Sequence, residues 1–327
     1  MRNKIVIILL SFLVGFPLFA DEPDGIKDDN YFRELFKTAS LWQVGENRDT
    51  VDWAREKLVG EGEAAVDYIM FDKIGSESAL ESRATEAIFK KTKDAAIPEL
   101  IECLADTFEE IGTKADIIYH LGKLKAKETL DTLYHFLTDT SDTMQRKLIR
   151  ITIYALGEIG DTSSTEKIVP FLGYGKERVR TTSVEALGKL KDIRYVRQLA
   201  SAFDDEIFSV RYGASLAISS FKPPAIDSLL VFLSEEKQTD RRIAQIIYTV
   251  GLTYEKAKKD TSFNPILSGE RIFDAVSPFV NSSSRVVRAR TAETLLSLEI
   301  ENVEDKVSSL FRNESDPYIL KLVSKEK

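Results

Sequence analysis

The chain has 327 residues, of which 43% are hydrophobic and 30% charged, so it is long and apolar enough to bury a substantial core. The formal charge of −8 disfavours a nucleic-acid partner, because binding to phosphates depends on an excess of Lys and Arg. One cysteine excludes an intramolecular disulfide, and two histidines leave little material for a histidine-based metal or acid–base site.

Residues 1–20 have the pattern of a secretory signal peptide. Arg2 and Lys4 precede a continuous apolar run, which gives way to an acidic stretch just after Ala20. The apolar run is shorter than the roughly 20 residues that a helix needs to cross a bilayer, so the pattern favours a cleaved signal over a retained anchor. We therefore predict a periplasmic or secreted protein, processed after Ala20, whose residues 21–327 contain no integral membrane segment.

Most of the remaining chain is an internal repeat. An apolar residue followed by a small one recurs at intervals of 35, 31 and 31 residues, and its strongest copies begin at Leu121, Leu156, Leu187 and Ile218. Weaker copies begin at Ile88, Val250 and Leu295. Within each copy apolar or small residues return every three or four positions, which predicts a helix of about 12 residues. A shorter amphipathic stretch precedes that helix, so each period contains a pair of helices.

This regularity predicts an all-α fold in which helix pairs stack into a solenoid. A single pair cannot bury its apolar face, so each repeat packs on the next. Small residues at one position of the second helix allow neighbouring helices to approach closely, namely Ala155, Ala186 and Ala217. We assign residues 80–327 to the repeat array and residues 21–79 to an N-terminal helical cap, because terminal repeats diverge where they cover an exposed end.

One period is longer than the others. The distance from Gly251 to Leu296 is 45 residues, and the excess forms an insertion over residues 254–269. Its first half can extend the preceding helix, and Asn264-Pro265 then forces a turn. Insertions in solenoids often map to the binding face, although a functionally silent loop is an equal alternative.

The recurring motif, Val-Arg followed by Ala-Leu-Gly, resembles that of HEAT repeats. It is clearest over residues 179–190, and Val210-Arg211 and Val287-Arg288 open equivalent segments. The resemblance covers roughly residues 80–325 and is closest to the short HEAT-like repeats of the phycobilin-lyase-like group. It implies a superhelical stack whose second helices form an inner wall suited to holding another macromolecule. Tetratricopeptide repeats share the period, but their recurring Trp-Leu-Gly-Tyr pattern is missing.

Enzymes with HEAT-like folds need features that this sequence lacks. Deoxyhypusine-hydroxylase-like members hold iron with repeated His-Glu pairs, whereas His120 and His135 are followed by Leu and Phe. Alkylpurine-glycosylase-like members work in a basic groove, which the acidic composition disfavours. Phosphate loops and nucleophile elbows are missing from the sequence. We therefore predict no enzyme, no catalytic residue, no metal and no cofactor, and keep a lyase-like modifying activity as a less favoured alternative.

Three uncommon residues are interpreted as structural. His120 takes the position that alanine holds in the later copies, so its ring should widen the stack locally. Cys103 lies at helical spacing among leucines, which is typical of a buried core thiol. Trp42 lies among apolar neighbours in the predicted cap and should pack inside it.

The candidate binding residues lie beside the buried stripe of the second helices. One position beyond that stripe, the successive copies hold Tyr119, Tyr154, Glu185, Leu216, Tyr248 and Glu293. Arg150 and Tyr212 lie one turn earlier, and Tyr and Arg are the residue types that dominate interface hot spots. We predict a partner-binding surface formed by Tyr119, Arg150, Tyr154, Tyr212 and Tyr248. In the alternative interpretation the same tyrosines cover the edge of the core with their hydroxyls in water.

These observations together favour an exported scaffold or adaptor that binds a protein partner on the inner face of the solenoid. The alternative is an envelope protein that binds a glycan or a lipid, for which the tyrosines and the insertion at 254–269 would form the platform. A lipid-binding protein would need a continuous apolar cavity, whereas a scaffold needs only an exposed groove. The identity of the partner does not follow from the sequence.

Overall fold

The computed structural model describes residues 28–106, 110–138, 143–235 and 237–324. Within these ranges all regular structure is helical. The predicted signal peptide lies outside the described residues. In the described part of the chain, no helix combines the length and the hydropathy that a bilayer span requires. The chain divides into two compact units, Met1–Ala126 and Lys127–Lys327.

The described part of the first unit contains six α-helices. They are α1 (Asp29–Ala39), α2 (Asn47–Gly60), α3 (Glu63–Asp72), α4 (Ala79–Lys91), α5 (Lys93–Ala105) and α6 (Ile111–Leu124). Asp28 caps α1 by accepting a hydrogen bond from Tyr31 N, and Ser78 caps α4 by accepting one from Glu81 N. The predicted cap residues and the first repeats both lie in this unit.

The second unit continues with α7 (Leu130–His135), α8 (Thr143–Ile159), α9 (Thr165–Ile168), α10 (Glu177–Leu190), α11 (Val196–Ala200) and α12 (Phe208–Ser219). It ends with α13 (Pro223–Leu233), α14 (Asp240–Ala257), α15 (Pro265–Val276), α16 (Arg285–Leu296), α17 (Val303–Leu310) and α18 (Pro317–Val323). Short 3-10 turns lengthen several of the first helices of each pair.

The second helices of the pairs form one continuous layer in the second unit. Helices α8, α10, α12, α14 and α16 pack against one another in that order, and α18 packs against α16. The predicted apolar stripe is buried throughout, as the full burial of Ile153, Val184 and Ile247 shows. Apolar burial of this kind supplies most of the favourable free energy of folding.

Glycine allows the closest approach between neighbouring second helices. A Cβ atom added to Gly157 would lie 2.8 Å from the Cβ of Ala186, and one added to Gly188 would lie 2.7 Å from the Cβ of Ala217. Side chains cannot approach so closely, so these two positions require glycine facing a small residue. The prediction that Ala186 and Ala217 permit close packing is confirmed.

The arginine of the Val-Arg motif ties each second helix to the loop before it. Nη1 of Arg180 donates to the carbonyl oxygen of Tyr174 at 2.9 Å, and Nη1 of Arg288 donates to that of Ser282 at 3.0 Å. Both arginines also pair with a carboxylate from the following loop, Arg180 with Asp205 at 2.6 Å and Arg288 with Glu314 at 2.7 Å. These bonds fix the loops between repeats.

The insertion at 254–269 is largely helical. Helix α14 continues to Ala257, as the sequence predicts, and the chain then turns into α15, which begins at Pro265 with Asn264 as its N-cap. Tyr254 is fully buried, and its hydroxyl donates to the carbonyl oxygen of Pro265 at 3.0 Å and accepts from Glu299 N at 2.9 Å. The insertion is therefore fastened to the repeat that follows it.

Candidate partner-binding surface

The structure places the five predicted residues on four second helices. Tyr119 lies on α6, Arg150 and Tyr154 on α8, Tyr212 on α12 and Tyr248 on α14. Tyr119 belongs to the first unit and the other four to the second. All of them have exposed atoms, and Tyr212 is the most exposed of the tyrosines.

Tyr119 is held in place by its neighbours in the first unit. Its hydroxyl donates to Oε2 of Glu86 at 2.9 Å, while Lys123 approaches Oε1 of the same carboxylate at 3.1 Å. Its ring stands edge-on to that of His120. These contacts agree with the alternative interpretation at this position, in which the tyrosine covers the edge of the core.

Arg150 and Tyr154 lie one turn apart on α8. Nζ of Lys189, on α10, lies 4.9 Å from the centre of the Tyr154 ring and also pairs with Glu158. This is the geometry of a cation–π contact. The Arg150 side chain is half-buried and forms no hydrogen bond or ion pair within the described residues.

Tyr212 and Tyr248 meet across α12 and α14. Burial raises the pKa of Tyr248, and its side-chain interaction with Tyr212 acts in the same direction. The Tyr212 ring stacks on that of Phe208, with 5.7 Å between the ring centres and 10° between the planes. The apolar side chain of Phe208 is 65% exposed.

The contacts continue to the last helices of the chain, which sequence reasoning did not include. The guanidinium of Arg290 lies 4.5 Å from the centre of the Tyr248 ring, and its Nη1 donates to Glu293 at 2.7 Å. The other oxygen of Glu293 accepts from the hydroxyl of Tyr318 at 3.0 Å. Arg285 lies over the Tyr318 ring and pairs with Asp316 at 2.5 Å.

A continuous surface therefore covers the second helices α12, α14, α16 and α18. We call it the aromatic strip, and it consists of Phe208, Tyr212, Leu216, Tyr248, Val286, Arg290 and Tyr318. Phe208, Val286 and Tyr318 are 65%, 58% and 47% exposed, although each is a large apolar or aromatic side chain. Contiguous exposed apolar surface with a charged border is typical of an interaction site.

Helix α10 divides the predicted site. At the position of the tyrosines it carries the exposed Glu185, and no aromatic residue lies on its outer surface. The structure thus brings Tyr212 and Tyr248 together and leaves Arg150 and Tyr154 as a second group on α8. Sequence reasoning missed Phe208 and Val286 because it followed one position of the repeat, whereas these residues lie in the first turn of their helices.

Two surface clefts lie apart from the aromatic strip. In the first unit, a cleft of about 650 Å³ between α3 and α5 is lined by acidic residues, the half-buried Cys103 and Phe71, which is 94% exposed. In the second unit, a cleft of about 420 Å³ lies between α13 and α15 and is lined by Pro223, Phe263 and Arg271.

The three residues interpreted as structural have different outcomes. His120 is buried and its ring packs edge-on to that of Phe89, as expected of a structural histidine. Cys103 is not part of the core, because its helix faces the open cleft on that side. Trp42 is 58% exposed and packs under the guanidinium of Arg83, so its expected burial in the cap is wrong. Among the residues described, no group of three or more His, Cys, Asp or Glu could hold a metal ion.

Helix pairs that pack in chain order, with one layer of second helices, define an all-α solenoid. The sequence model of the HEAT-repeat family matches residues 144–219, which span helices α8 to α12. These residues are HEAT repeats, as the Val-Arg and Ala-Leu-Gly motif indicated. No curated protein sequence matches the chain significantly.

Solved structures with a similar fold share little sequence with this chain. Human deoxyhypusine hydroxylase in complex with glycerol is 16% identical, with 82% of this chain and 96% of that chain covered and a TM-score of 0.30. The complex of CpcE and CpcF of phycocyanin lyase from Nostoc is 15% identical, with 76% and 93% covered and a TM-score of 0.39. A designed armadillo repeat protein in complex with the peptide (KR)4 is 15% identical, with 81% and 98% covered and a TM-score of 0.35. At these identities and TM-scores, no conclusion about this chain is drawn from the three structures.

Proposed function

We propose that this protein is an exported, non-enzymatic scaffold that holds a protein partner on the surface of its second helices. The observation that carries the proposal is the aromatic strip of the second unit. Aromatic residues and Arg are enriched at protein interfaces, and Tyr and Arg are among the residues that contribute most to binding there. Exposed apolar side chains lower the solubility of a protein, and a group of them on one surface is typical of a site that a partner covers.

The strip is ordered before any partner binds. Tyr248 interacts with Tyr212 on one side and with Arg290 on the other. Glu293 accepts hydrogen bonds from both Arg290 and Tyr318. Side chains that are already fixed lose little rotamer entropy on association, which favours affinity. The contacts that fix the side chains of the strip within the fold are therefore compatible with binding of a partner.

Crosslinking from the strip tests this proposal in the native compartment. A photoreactive phenylalanine analogue is placed at Phe208 or at Val286, and, as a matched control, at Val231, which is 62% exposed on the first helix α13. We expect a discrete crosslinked partner from the two strip positions and none from Val231. Equal crosslinking from all three positions, or none from any, would refute the scaffold.

Export is supported by the pattern of residues 1–20 alone. The test is N-terminal sequencing of the protein recovered from separated cell compartments. We expect a chain that begins at Asp21 and is found outside the cytoplasm. A chain that retains Met1 and stays in the cytoplasm would contradict export and leave the binding proposal standing.

A second candidate function, binding of an envelope glycan, is supported by the cleft between α13 and α15. Its lining combines the aromatic Phe263 with the polar Asn264, Asp227 and Arg271, and Arg271 pairs with Asp227 at 2.6 Å. Its volume of about 420 Å³ lies in the range of small-molecule sites. Binding of soluble envelope saccharides that is lost in Phe263→Ala and kept in Phe208→Ala would favour this function.

A further inference from the structure

A row of exposed positions borders the aromatic strip at the start of the second helices. Two residues before the Val-Arg arginine or its equivalent, the five helices α8, α10, α12, α14 and α16 carry Lys147, Arg178, Ser209, Arg241 and Val286. All five side chains are exposed. We call this row the ridge.

Within the part of the chain that the structure describes, the three cations of the ridge have no carboxylate partner. Lys147 and Arg178 form no hydrogen bond or ion pair through their side chains within the described residues. Arg241 makes only one long contact, from Nη1 to the carbonyl oxygen of Asp204 at 3.4 Å. Glu177 and Asp240 precede Arg178 and Arg241 in the chain and form no ion pair with them in the part of the chain that is described.

Other arginines of the same helices behave differently. Arg180 and Arg288 are paired with carboxylates, at 2.6 and 2.7 Å, and Arg242 is paired with Asp204. Within the described residues these three arginines therefore have acidic partners, whereas the ridge cations and Arg150 have none. A cation that stabilises the folded chain would normally be paired or would lie near a helix C-terminus.

The position of these cations opposes the helix dipole. The first turn of a helix carries partial positive charge from its free N–H groups, so a Lys or Arg there is destabilising and an anion there is stabilising. Arg178 and Arg241 lie in the first turns of α10 and α14, and Lys147 lies just after the first turn of α8, which begins at Thr143. The free N–H groups of these helix ends and the three side chains contribute positive charge along the ridge, against the carboxylates of Glu177 and Asp240 in the first turns of α10 and α14.

The ridge and the strip form one surface. Phe208 precedes Ser209 in the chain, and Val286 belongs to both. Oγ of Ser209 also donates to Oε1 of Glu177 at 3.3 Å, which joins the ridge across α10 and α12. A ligand on the ridge therefore meets cations at α8 and α10, aromatic side chains at α12 and a cation again at α14.

We propose that the ridge binds an extended acidic segment of a partner polypeptide, with an apolar side chain of that segment on Phe208. This inference rests on the proposed scaffold function and names the chemistry of its partner. The charge complementarity carries it, because three unpaired cations lie in register on a protein whose formal charge is −8. Packed helices lie about 8–10 Å apart and an extended chain rises about 3.3 Å per residue, so each repeat corresponds to about three residues of the ligand.

The test uses the chain over residues 21–327 and three labelled polymers. A copolymer of glutamate and tyrosine is the probe, a copolymer of lysine and tyrosine is its charge control, and heparin represents an anionic glycan. Binding is measured by fluorescence anisotropy at about 50 mM and about 500 mM NaCl, because screening weakens charge contacts.

The ridge variant carries Lys147→Glu, Arg178→Glu and Arg241→Glu. The matched control carries Lys259→Glu, Arg312→Glu and Lys321→Glu, three exposed cations elsewhere in the second unit that change the net charge equally.

We expect the glutamate–tyrosine copolymer to bind in a salt-dependent manner, about tenfold or more weaker in the ridge variant and nearly unchanged in the control variant. Equal loss in both variants, or preference for the lysine copolymer, would overturn the proposal. Tighter ridge-dependent binding of heparin would overturn it too, because the ligand would then be an anionic glycan.

A further variant separates this inference from the scaffold itself. Phe208→Ala with Val286→Ala removes the two most exposed side chains of the aromatic strip and leaves every ridge cation in place. Copolymer binding that is lost only in this variant would overturn the acidic-segment proposal and leave the scaffold supported. If the photoreactive residue at Phe208 captures no partner while the copolymer still binds to the ridge, the result would instead count against the scaffold.

Discussion

The ring of His120 stands edge-on to the ring of Phe89, with 5.5 Å between their centres. In the second unit the equivalent positions carry an alanine facing a glycine, as in the contact of Ala217 with Gly188. Two aromatic rings therefore replace the smallest pair of side chains at this contact of the first unit. The repeat pattern keeps its register there, but the space between α4 and α6 is filled by rings rather than by close backbone approach.

Burial of His120 makes stability depend on pH. Burial lowers the pKa of His120 below its unfolded value of about 6.5, against the opposite effect of Asp116, whose Oδ1 lies 3.5 Å from Nε2. Between the two pKa values the unfolded chain binds a proton that the folded chain does not. The free energy of unfolding should therefore fall as the pH drops below about 6.5, by at most about 1.4 kcal/mol per pH unit.

Denaturant titrations between about pH 7.5 and about pH 5 measure this slope. We expect it to decrease in His120→Phe, which keeps an aromatic ring against Phe89, and to persist in His135→Gln, because His135 is exposed. A wild-type slope in His120→Phe would show that other groups cause the dependence.

The contact of Gly188 with Ala217 predicts that alanine is not tolerated at this position. The added Cβ would lie 2.7 Å from the Cβ of Ala217 and 3.0 Å from its Cα, and overpacking of this kind costs about 1–3 kcal/mol. The higher helix propensity of alanine offsets about 1 kcal/mol of that cost. We expect a lower midpoint of thermal unfolding for Gly188→Ala, with Gly173→Ala as the control because its Cβ would meet no atom within 4 Å. Equal midpoints for the two variants would contradict the close approach.

The pair of Arg288 and Glu314 predicts a loss of stability in acid. Arg288, by its hydrogen bond, lowers the pKa of Glu314 from its ordinary value to about 2. The folded chain thus keeps this carboxylate ionised where the unfolded chain is protonated, so the stabilisation is full above about pH 4.5 and disappears as the pH falls towards 2. We expect Glu314→Gln to lose about 1.5–3 kcal/mol at neutral pH, as for hydrogen bonds to charged groups, and to show a flatter acid limb. An acid limb identical to that of the wild type would refute this account.

The hydrogen bonds of the Tyr254 hydroxyl predict that the insertion stabilises the fold. This hydroxyl joins Pro265 to Glu299, and Tyr254→Phe would leave a part-buried carbonyl oxygen and a part-buried N–H group without this partner. The expected loss is about 1–3 kcal/mol of unfolding free energy, measured by urea titration. Tyr195→Phe is the matched control, because its half-exposed hydroxyl makes no hydrogen bond within the described residues. A loss of equal size in the control would contradict the role of the Tyr254 bonds.

The spacing of the ridge predicts the spacing of acidic residues in its ligand. Lys147 and Arg178 lie on successive second helices, which corresponds to about three residues of an extended chain. A peptide with glutamate at every third position should therefore bind more tightly than one of the same length and composition whose glutamates form one uninterrupted run. Equal affinities, measured by anisotropy, would argue against an in-register contact.

The sequence by itself determined the fold class, the period and the buried stripe. Residues such as Ile153, Val184 and Ile247 recur at helical spacing, and one buried position per turn is enough to fix which face of each helix enters the core. The same periodicity located Ala186 and Ala217 at close contacts, and the Asn264-Pro265 dipeptide placed a break after α14, because proline restricts the residue before it.

Only the tertiary structure decided which surface residues act together. Tyr119 and Tyr248 hold the same position of the repeat, yet Tyr119 is bound by Glu86, whereas Tyr248 lies between Tyr212 and Arg290. The partners of these two tyrosines come from neighbouring helices, 33 to 42 residues away in the chain, and differ from repeat to repeat. For the same reason the sequence did not reveal that Phe208 and Tyr318 extend the strip, because side-chain contacts between helices depend on the stacking of the helices and not on the repeat pattern.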